Sequence, residues 1–141
     1  MKTPRRIVLS RKGFDSTARY GGRPSPIFDD GRILSLPIPE DTKKTIKYSA
    51  LLDPTEQFPS LGSIVEQLTK GKLTGDSFVH LDPDLRANSV AGRMPDWRPI
   101  FGQVDQAQTH LCNQGVGKGD LFLFYGLYRE TTVRGTKNKL R

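Results

Sequence analysis

The hydrophobic residues of this chain are concentrated in short runs, separated by long polar stretches rich in glycine and proline. Four runs, at residues 6–10, 32–36, 78–81 and 121–125, predict β-strands because apolar residues follow one another there between turn signals. The run at 121–125 has no polar position, so we expect its strand to be buried on both faces. The aromatic residues of 122–128 are accordingly expected in the core.

Two further stretches, residues 60–70 and 103–114, have the spacing of amphipathic helices. Their apolar stripes consist of Leu61, Ile64, Val65 and Leu68 in the first and of Val104, Ala107 and Leu111 in the second. The element order β, β, helix, β, helix, β predicts a single α+β or mixed α/β domain. We expect one small mixed sheet, two main helices and long loops.

Positive charge is concentrated at the two ends of the chain. The formal net charge is +7. Residues 1–23 carry +6, residues 129–141 carry +4, and residues 24–128 carry −3. We therefore divide the chain into a domain at 1–128 and a basic C-terminal tail at 129–141. Basic ends of this kind either contact phosphates or simply lie in solvent, and composition leaves both interpretations open.

Several classes of protein are excluded by what the sequence lacks. The single cysteine, Cys112, rules out an internal disulfide framework. No secretory h-region follows the basic N-terminus, and no apolar run approaches the roughly 18 residues of a membrane span. The expectation is a soluble cytoplasmic protein with no membrane partner.

The densest cluster of polar chemistry directly follows the first predicted strand. Arg11 and Lys12 have the side chains that bind phosphate, and Asp15 has the carboxylate of a general base. Ser10 and Ser16 are candidate nucleophiles, although no histidine lies nearby in sequence to activate either. A turn in which Asp15 and Ser16 bond their own backbone is the alternative interpretation.

A second cluster contains the two histidines of the chain. His80 and Asp82 point to the same side of an extended segment, and His110 completes the residue types of a two-histidine, one-carboxylate iron site. Asp84 is a further ligand-binding candidate, although Asp82 and Asp84 also fit an ordinary turn around a proline. Gln103 and His110 share one face of the second helix, which either lines a site or faces solvent.

Several segments together resemble one known family, the third of the nucleotide-modification-associated domain families. The resemblance extends from about residue 6 to residue 128, and SRKGFDS is its most specific segment. The segments are SRKGFDS (10–16), SLPIP (35–39), HLDPDL (80–85), FGQ (101–103) and GDLFLF (119–124).

The resemblance implies a bacterial or phage protein that acts on a nucleotide or on a base in nucleic acid. The resemblance assigns no residue a role. From the residues themselves, we expect Arg11 and Lys12 to hold phosphate, with His80, Asp82 and Asp84 across a cleft and Gln103 and His110 on its helix wall. Members of the family continue beyond the LFLF strand, so we expect a C-terminally truncated member whose activity is undetermined. The reaction and any cofactor stay open.

Two alternatives to a modifying enzyme remain. One is a non-catalytic module that binds nucleic acid or reads modified bases. The other is an iron-dependent oxygenase that uses His80, Asp82 and His110.

Overall fold

The computed structural model describes residues 5–15, 17, 22–42 and 45–134, which form two helices and three two-stranded sheets. The elements are β1 (Ile7–Arg11), β2 (Ser25–Ile27), β3 (Ile46–Lys47), α1 (Leu61–Thr69), β4 (Phe78–Val79), α2 (Asp105–Asn113), β5 (Leu121–Tyr125) and β6 (Tyr128–Glu130). The predicted α+β class is confirmed. The expected single mixed sheet is instead three separate strand pairs: parallel β1–β5, parallel β2–β6 and antiparallel β3–β4.

Helix α1 forms where the sequence predicts it. The Ser60 hydroxyl caps the helix by accepting a hydrogen bond from the Gly62 N–H at 3.2 Å. Its apolar stripe is buried, and Ile64 and Val65 are fully inaccessible to solvent. Burying each such side chain contributes about 1.5–3 kcal/mol. Neither helix in the described ranges has the length and apolar character needed to cross a membrane.

The hydrophobic core lies around α1 and the segments that precede it. It does not include the aromatic residues of 122–128, so the prediction that they form the core is wrong. The buried hydrophobic residues are Phe14, Phe28, Leu34, Leu36, Tyr48, Leu51, Phe58, Leu61, Ile64, Val65, Leu68 and Val79.

The β1–β5 pair has one exposed face, which corrects the prediction that 121–125 is buried on both faces. Side chains alternate along both strands between exposed and half-buried. The exposed side, here called the outer face, consists of Ile7, Leu9, Leu121, Leu123 and Tyr125, each at least 44% accessible. The other side, the inner face, carries Val8, Ser10, Phe122 and Phe124.

The predicted strand at 32–36 is reduced to a single antiparallel bridge between Ile27 and Ile33. A tight turn joins these residues, in which the Asp30 carboxylate accepts a hydrogen bond from the Arg32 N–H at 3.1 Å. The chain then continues through buried Leu34 without forming a ladder. At the other end of the chain, β6 pairs with β2 rather than with β5.

Candidate functional site

A cavity of about 620 Å³ opens at the carboxyl ends of the parallel strands β1 and β5. We call it the carboxyl-end pocket. Ligand sites in sheets of parallel strands commonly lie at this end. Residues distant in sequence line it, among them Arg11, Lys12, Asp15, His80, Leu81, Asp82, Arg86, Gln103, Phe124, Tyr125 and Tyr128.

The turn after β1 explains the sequence of the SRKGFDS segment. The Lys12 N–H continues the strand pairing by donating to the Tyr125 carbonyl at 2.7 Å. Gly13 then adopts a φ of +80°, a conformation that glycine reaches without strain. Phe14 is fully buried, and its N–H donates to the Leu36 carbonyl at 3.0 Å. The buried phenylalanine thus anchors the loop that presents the basic residues to the pocket.

The Lys12 ammonium lies against aromatic surface. Its Nζ is 4.4 Å from the ring centroid of Phe101 and 5.7 Å from that of Phe124. Both distances permit a cation–π attraction. Burial lowers the pKa of Lys12 from its ordinary value, and the negative charge of Asp82 partly opposes that shift.

The Asp15 carboxylate is held by its own turn and by Arg11. It accepts a hydrogen bond from the Thr17 N–H at 2.8 Å and lies 3.4 Å from the Arg11 guanidinium. The Thr17 hydrogen bond is the main reason that the pKa of Asp15 is lowered, and the charge of Arg11 lowers it further. Asp15 is therefore an ionised group at the edge of the pocket.

His80 lies between two carboxylates. Its Nδ1 is 3.9 Å from Glu40 Oε2, and its Nε2 is 3.8 Å from Asp82 Oδ2. The other oxygen of Asp82 accepts a hydrogen bond from the Gly102 N–H at 3.1 Å. Both histidine–carboxylate separations are longer than a hydrogen bond, so the structure shows His80 near two carboxylates rather than a bonded acid–base pair.

The position of Phe101 depends on pairing between two loop segments. The backbone groups of Asp84 and Ile100 exchange two hydrogen bonds, each 2.8 Å long. The Asp84 carboxylate also accepts two hydrogen bonds from Arg93, at 2.6 and 2.8 Å, and the Arg93 guanidinium stacks 4.2 Å from the Trp97 ring centroid. Asp84, a ligand-binding candidate in the sequence, therefore holds this loop and does not line the pocket.

The structure separates the remaining candidates. Ser10 and His110 line a second cavity, of about 650 Å³, between the inner face and α2. Gln103 lies before α2, which begins at Asp105, so the prediction that it shares a helix face with His110 is wrong; it lines both cavities. Ser16 lies outside the described residues. Arg11, Lys12, Asp15, His80 and Asp82 are brought together in the carboxyl-end pocket.

The iron site proposed from the sequence is not assembled. His80 and Asp82 line one cavity, whereas His110 lines the other. Within the described ranges, no three His, Cys, Asp or Glu side chains are grouped so that they could hold a metal ion.

Several pocket residues had no distinguishing signal in the sequence. Arg86 is one exposed arginine among many basic residues, and Phe124 belongs to an apolar run that suggested only burial. Glu40 does not line the pocket, but it comes beside His80 because Pro39 forms an antiparallel bridge with Val79 of β4 and the Glu40 N–H donates to the Phe78 carbonyl at 3.0 Å. Only the tertiary pairing reveals these neighbours.

Comparison with known proteins gives one family. The family model described as nucleotide modification associated domain 3 matches residues 6–141. No curated protein and no solved structure matches the chain. The matched range includes the basic segment 129–141, whose separation from the domain remains a prediction. Because the match covers essentially the whole sequence, this chain belongs to the nucleotide modification associated domain 3 family.

Proposed function

We propose that the carboxyl-end pocket binds a nucleotide, free or within nucleic acid, and is the site at which that nucleotide or its base is modified. Family membership supports an association with nucleotide modification. One observation carries the assignment to this pocket: the segments 11–15 and 80–82, which are far apart in sequence, bring Arg11, Lys12, Asp15, His80 and Asp82 to a single cavity.

The chemistry of the lining suits the parts of a nucleotide. Arg11, Lys12 and Arg86 are cations for the phosphate, and arginine binds phosphate with two parallel hydrogen bonds. Phe124 and Tyr128 offer ring surface for the base. The volume of about 620 Å³ lies within the usual range of ligand pockets.

The polar groups across the pocket are suited to base recognition and proton transfer. The His80–Asp82 pair is a candidate general acid–base pair, and Asp15 is a second carboxylate at the pocket edge. The Gln103 amide both donates and accepts, as the hydrogen-bonding edge of a base requires. These roles are proposed from geometry and residue chemistry.

Binding of a panel of mononucleotides and short oligonucleotides, measured by calorimetry, tests this function. We expect Lys12→Met to weaken binding at least tenfold because a phosphate contact is lost. Lys47→Met is the matched control, since Lys47 also lies over a phenylalanine ring and pairs with Asp76, but does not line the pocket. Equal affinities of the two variants, or no binding by the wild type, would overturn the proposal.

A non-catalytic nucleic-acid-binding module is a second candidate. It is favoured by the cations in the pocket and by the fact that Asp15 and Asp82 are already bonded to backbone N–H groups. The Asp15→Ala variant distinguishes the two. If the protein is an enzyme, the variant keeps its fold but loses turnover. If the protein is a binding module, the variant keeps its affinity for the nucleotide or nucleic acid.

A further inference from the structure

The second cavity has no part in the function proposed above. It has a volume of about 650 Å³ and lies between the inner face of β1–β5 and α2, lined by Val8, Ser10, Ala107, His110 and Phe122 among others. Helix α2 has no buried residue, and of its side chains only Leu111 is partly buried, so the helix does not pack tightly on the strands. The space between the helix and the strands is therefore open to a ligand.

The two cavities follow one another at the end of β1. Ser10 of β1 lines the second cavity, and Lys12, the first residue after β1, lines the carboxyl-end pocket. The Lys12 N–H continues the pairing with β5 by donating to the Tyr125 carbonyl at 2.7 Å. Gln103 contributes to both linings, so the cavities adjoin at this residue.

Aromatic rings mark the junction between the cavities. Phe122 lines the second cavity and Phe124 the carboxyl-end pocket, with their ring centroids 6.4 Å apart and their planes inclined by 18°. Phe101 packs against both rings, at 5.1 and 4.9 Å. Aromatic faces placed along a positively charged groove are the means by which proteins hold successive bases of a single strand.

The charge and polarity of the second cavity fit the same ligand. Among the residues that the structure describes, no aspartate or glutamate lines it, whereas Arg6 does, although Asp120 is 3.6 Å from that guanidinium. The Ser10 hydroxyl, the His110 imidazole and the Gln103 amide are hydrogen-bonding groups for a base edge. A base can enter a cavity of this kind only when it has left a duplex stack.

We propose that the substrate is single-stranded nucleic acid, with one nucleotide in the carboxyl-end pocket and its neighbour in the second cavity. This inference rests on the function proposed for the first pocket, and names the class of substrate. A free mononucleotide would fill only one of the two cavities.

The dependence of affinity on ligand length tests the inference. We expect a dinucleotide to bind about tenfold more tightly than the corresponding mononucleotide, because a second base stacks. Ala107→Phe fills the second cavity and should abolish this gain while mononucleotide affinity stays unchanged. Gln106→Phe places the same side chain at the preceding helix position. Gln106 does not line the cavity, so this variant should preserve the gain.

The outcomes separate this inference from the function on which it rests. Mononucleotide binding with no gain from a second nucleotide, or equal gains in the Ala107→Phe and Gln106→Phe variants, would overturn the single-strand substrate alone. Failure of all lengths to bind would overturn the proposed function itself. If Ala107→Phe does not fold, His110→Ala replaces it and should reduce the gain. Parallel DNA and RNA series show which sugar is accepted.

Discussion

The ammonium of Lys12 lies 4.4 Å from the ring centroid of Phe101, although 89 positions separate the two residues in the sequence. The contact joins the turn after β1 to the loop that precedes α2. It places the ammonium beside a ring that packs on Phe124 of the carboxyl-end pocket, and burial lowers the pKa of Lys12 there.

Nucleotide affinity should depend on the charge of Lys12. Because its pKa is lowered, Lys12 loses its proton, and with it the attraction for phosphate, at a lower pH than an ordinary lysine does. Affinity should therefore fall as the pH rises through that lowered pKa. Lys12→Arg should move the fall to higher pH, since a guanidinium stays charged. Calorimetric titrations between pH 7 and 10.5 measure the effect, and identical profiles for both proteins would contradict it.

Gly13→Ala should destabilise the protein. The φ of +80° costs a residue with a side chain about 1–3 kcal/mol. An added Cβ would also lie 2.8 Å from Ser35 Oγ and 3.0 Å from the Leu36 carbonyl oxygen. Gly31→Ala is the control, because Gly31 has a similar φ of +82° but open space around it. Urea unfolding should show a larger loss of unfolding free energy for Gly13→Ala than for Gly31→Ala. Equal losses would contradict a steric clash at Gly13.

Asp15 should contribute a pH-dependent part of the stability. Its pKa is lowered in the folded state, so its contribution is fully present above the unfolded pKa of about 3.9 and is lost as the pH falls through the folded value. Asp15→Asn removes that contribution. The difference in free energy of unfolding between wild type and variant should thus shrink from pH 5 to pH 3. Urea titrations at several pH values measure it, and a constant difference would be the contrary result.

Arg93→Met should loosen the loop that carries Phe101. Removing one partner from a mostly buried ion pair costs about 3 kcal/mol, and here it leaves Asp84 without its two side-chain hydrogen bonds. Because Asp84 pairs with Ile100 next to Phe101, nucleotide affinity should fall as well. Arg98→Met, at an exposed position of the same loop, should change neither quantity. Thermal unfolding and calorimetry give the two readouts, and a stable Arg93→Met variant with reduced affinity would argue against a role for the pair in folding.

The outer face of β1–β5 should tolerate truncation. Leu9 is 69% accessible, so Leu9→Ala should cost no more than about 1 kcal/mol. Leu36 is fully buried, and Leu36→Ala should cost about 2–5 kcal/mol. Urea unfolding of both variants compares the two positions. A cost at Leu9 that approaches the cost at Leu36 would mean that this face is covered in solution.

Local sequence predicted the elements whose signals are contained in a few consecutive residues. The Ser60 cap and the apolar stripe after it gave α1 at Leu61–Thr69, and the LFLFY run gave β5 at Leu121–Tyr125. The same run also led to the wrong prediction that β5 is buried on both faces. Hydrophobicity shows that a strand prefers apolar surroundings, but the number of layers packed on it depends on the rest of the chain.

By itself, the sequence determined the α+β class, the positions of both helices, and the presence of Lys12 and Asp15 in a loop after the first strand. Only the tertiary structure decided which distant groups those residues meet. His80 and Asp82 line the same pocket as Lys12, whereas Ser10 and His110 line the neighbouring cavity. The reason is physical: side chains alternate along a strand, and contacts between segments far apart in sequence depend on packing that no local pattern records.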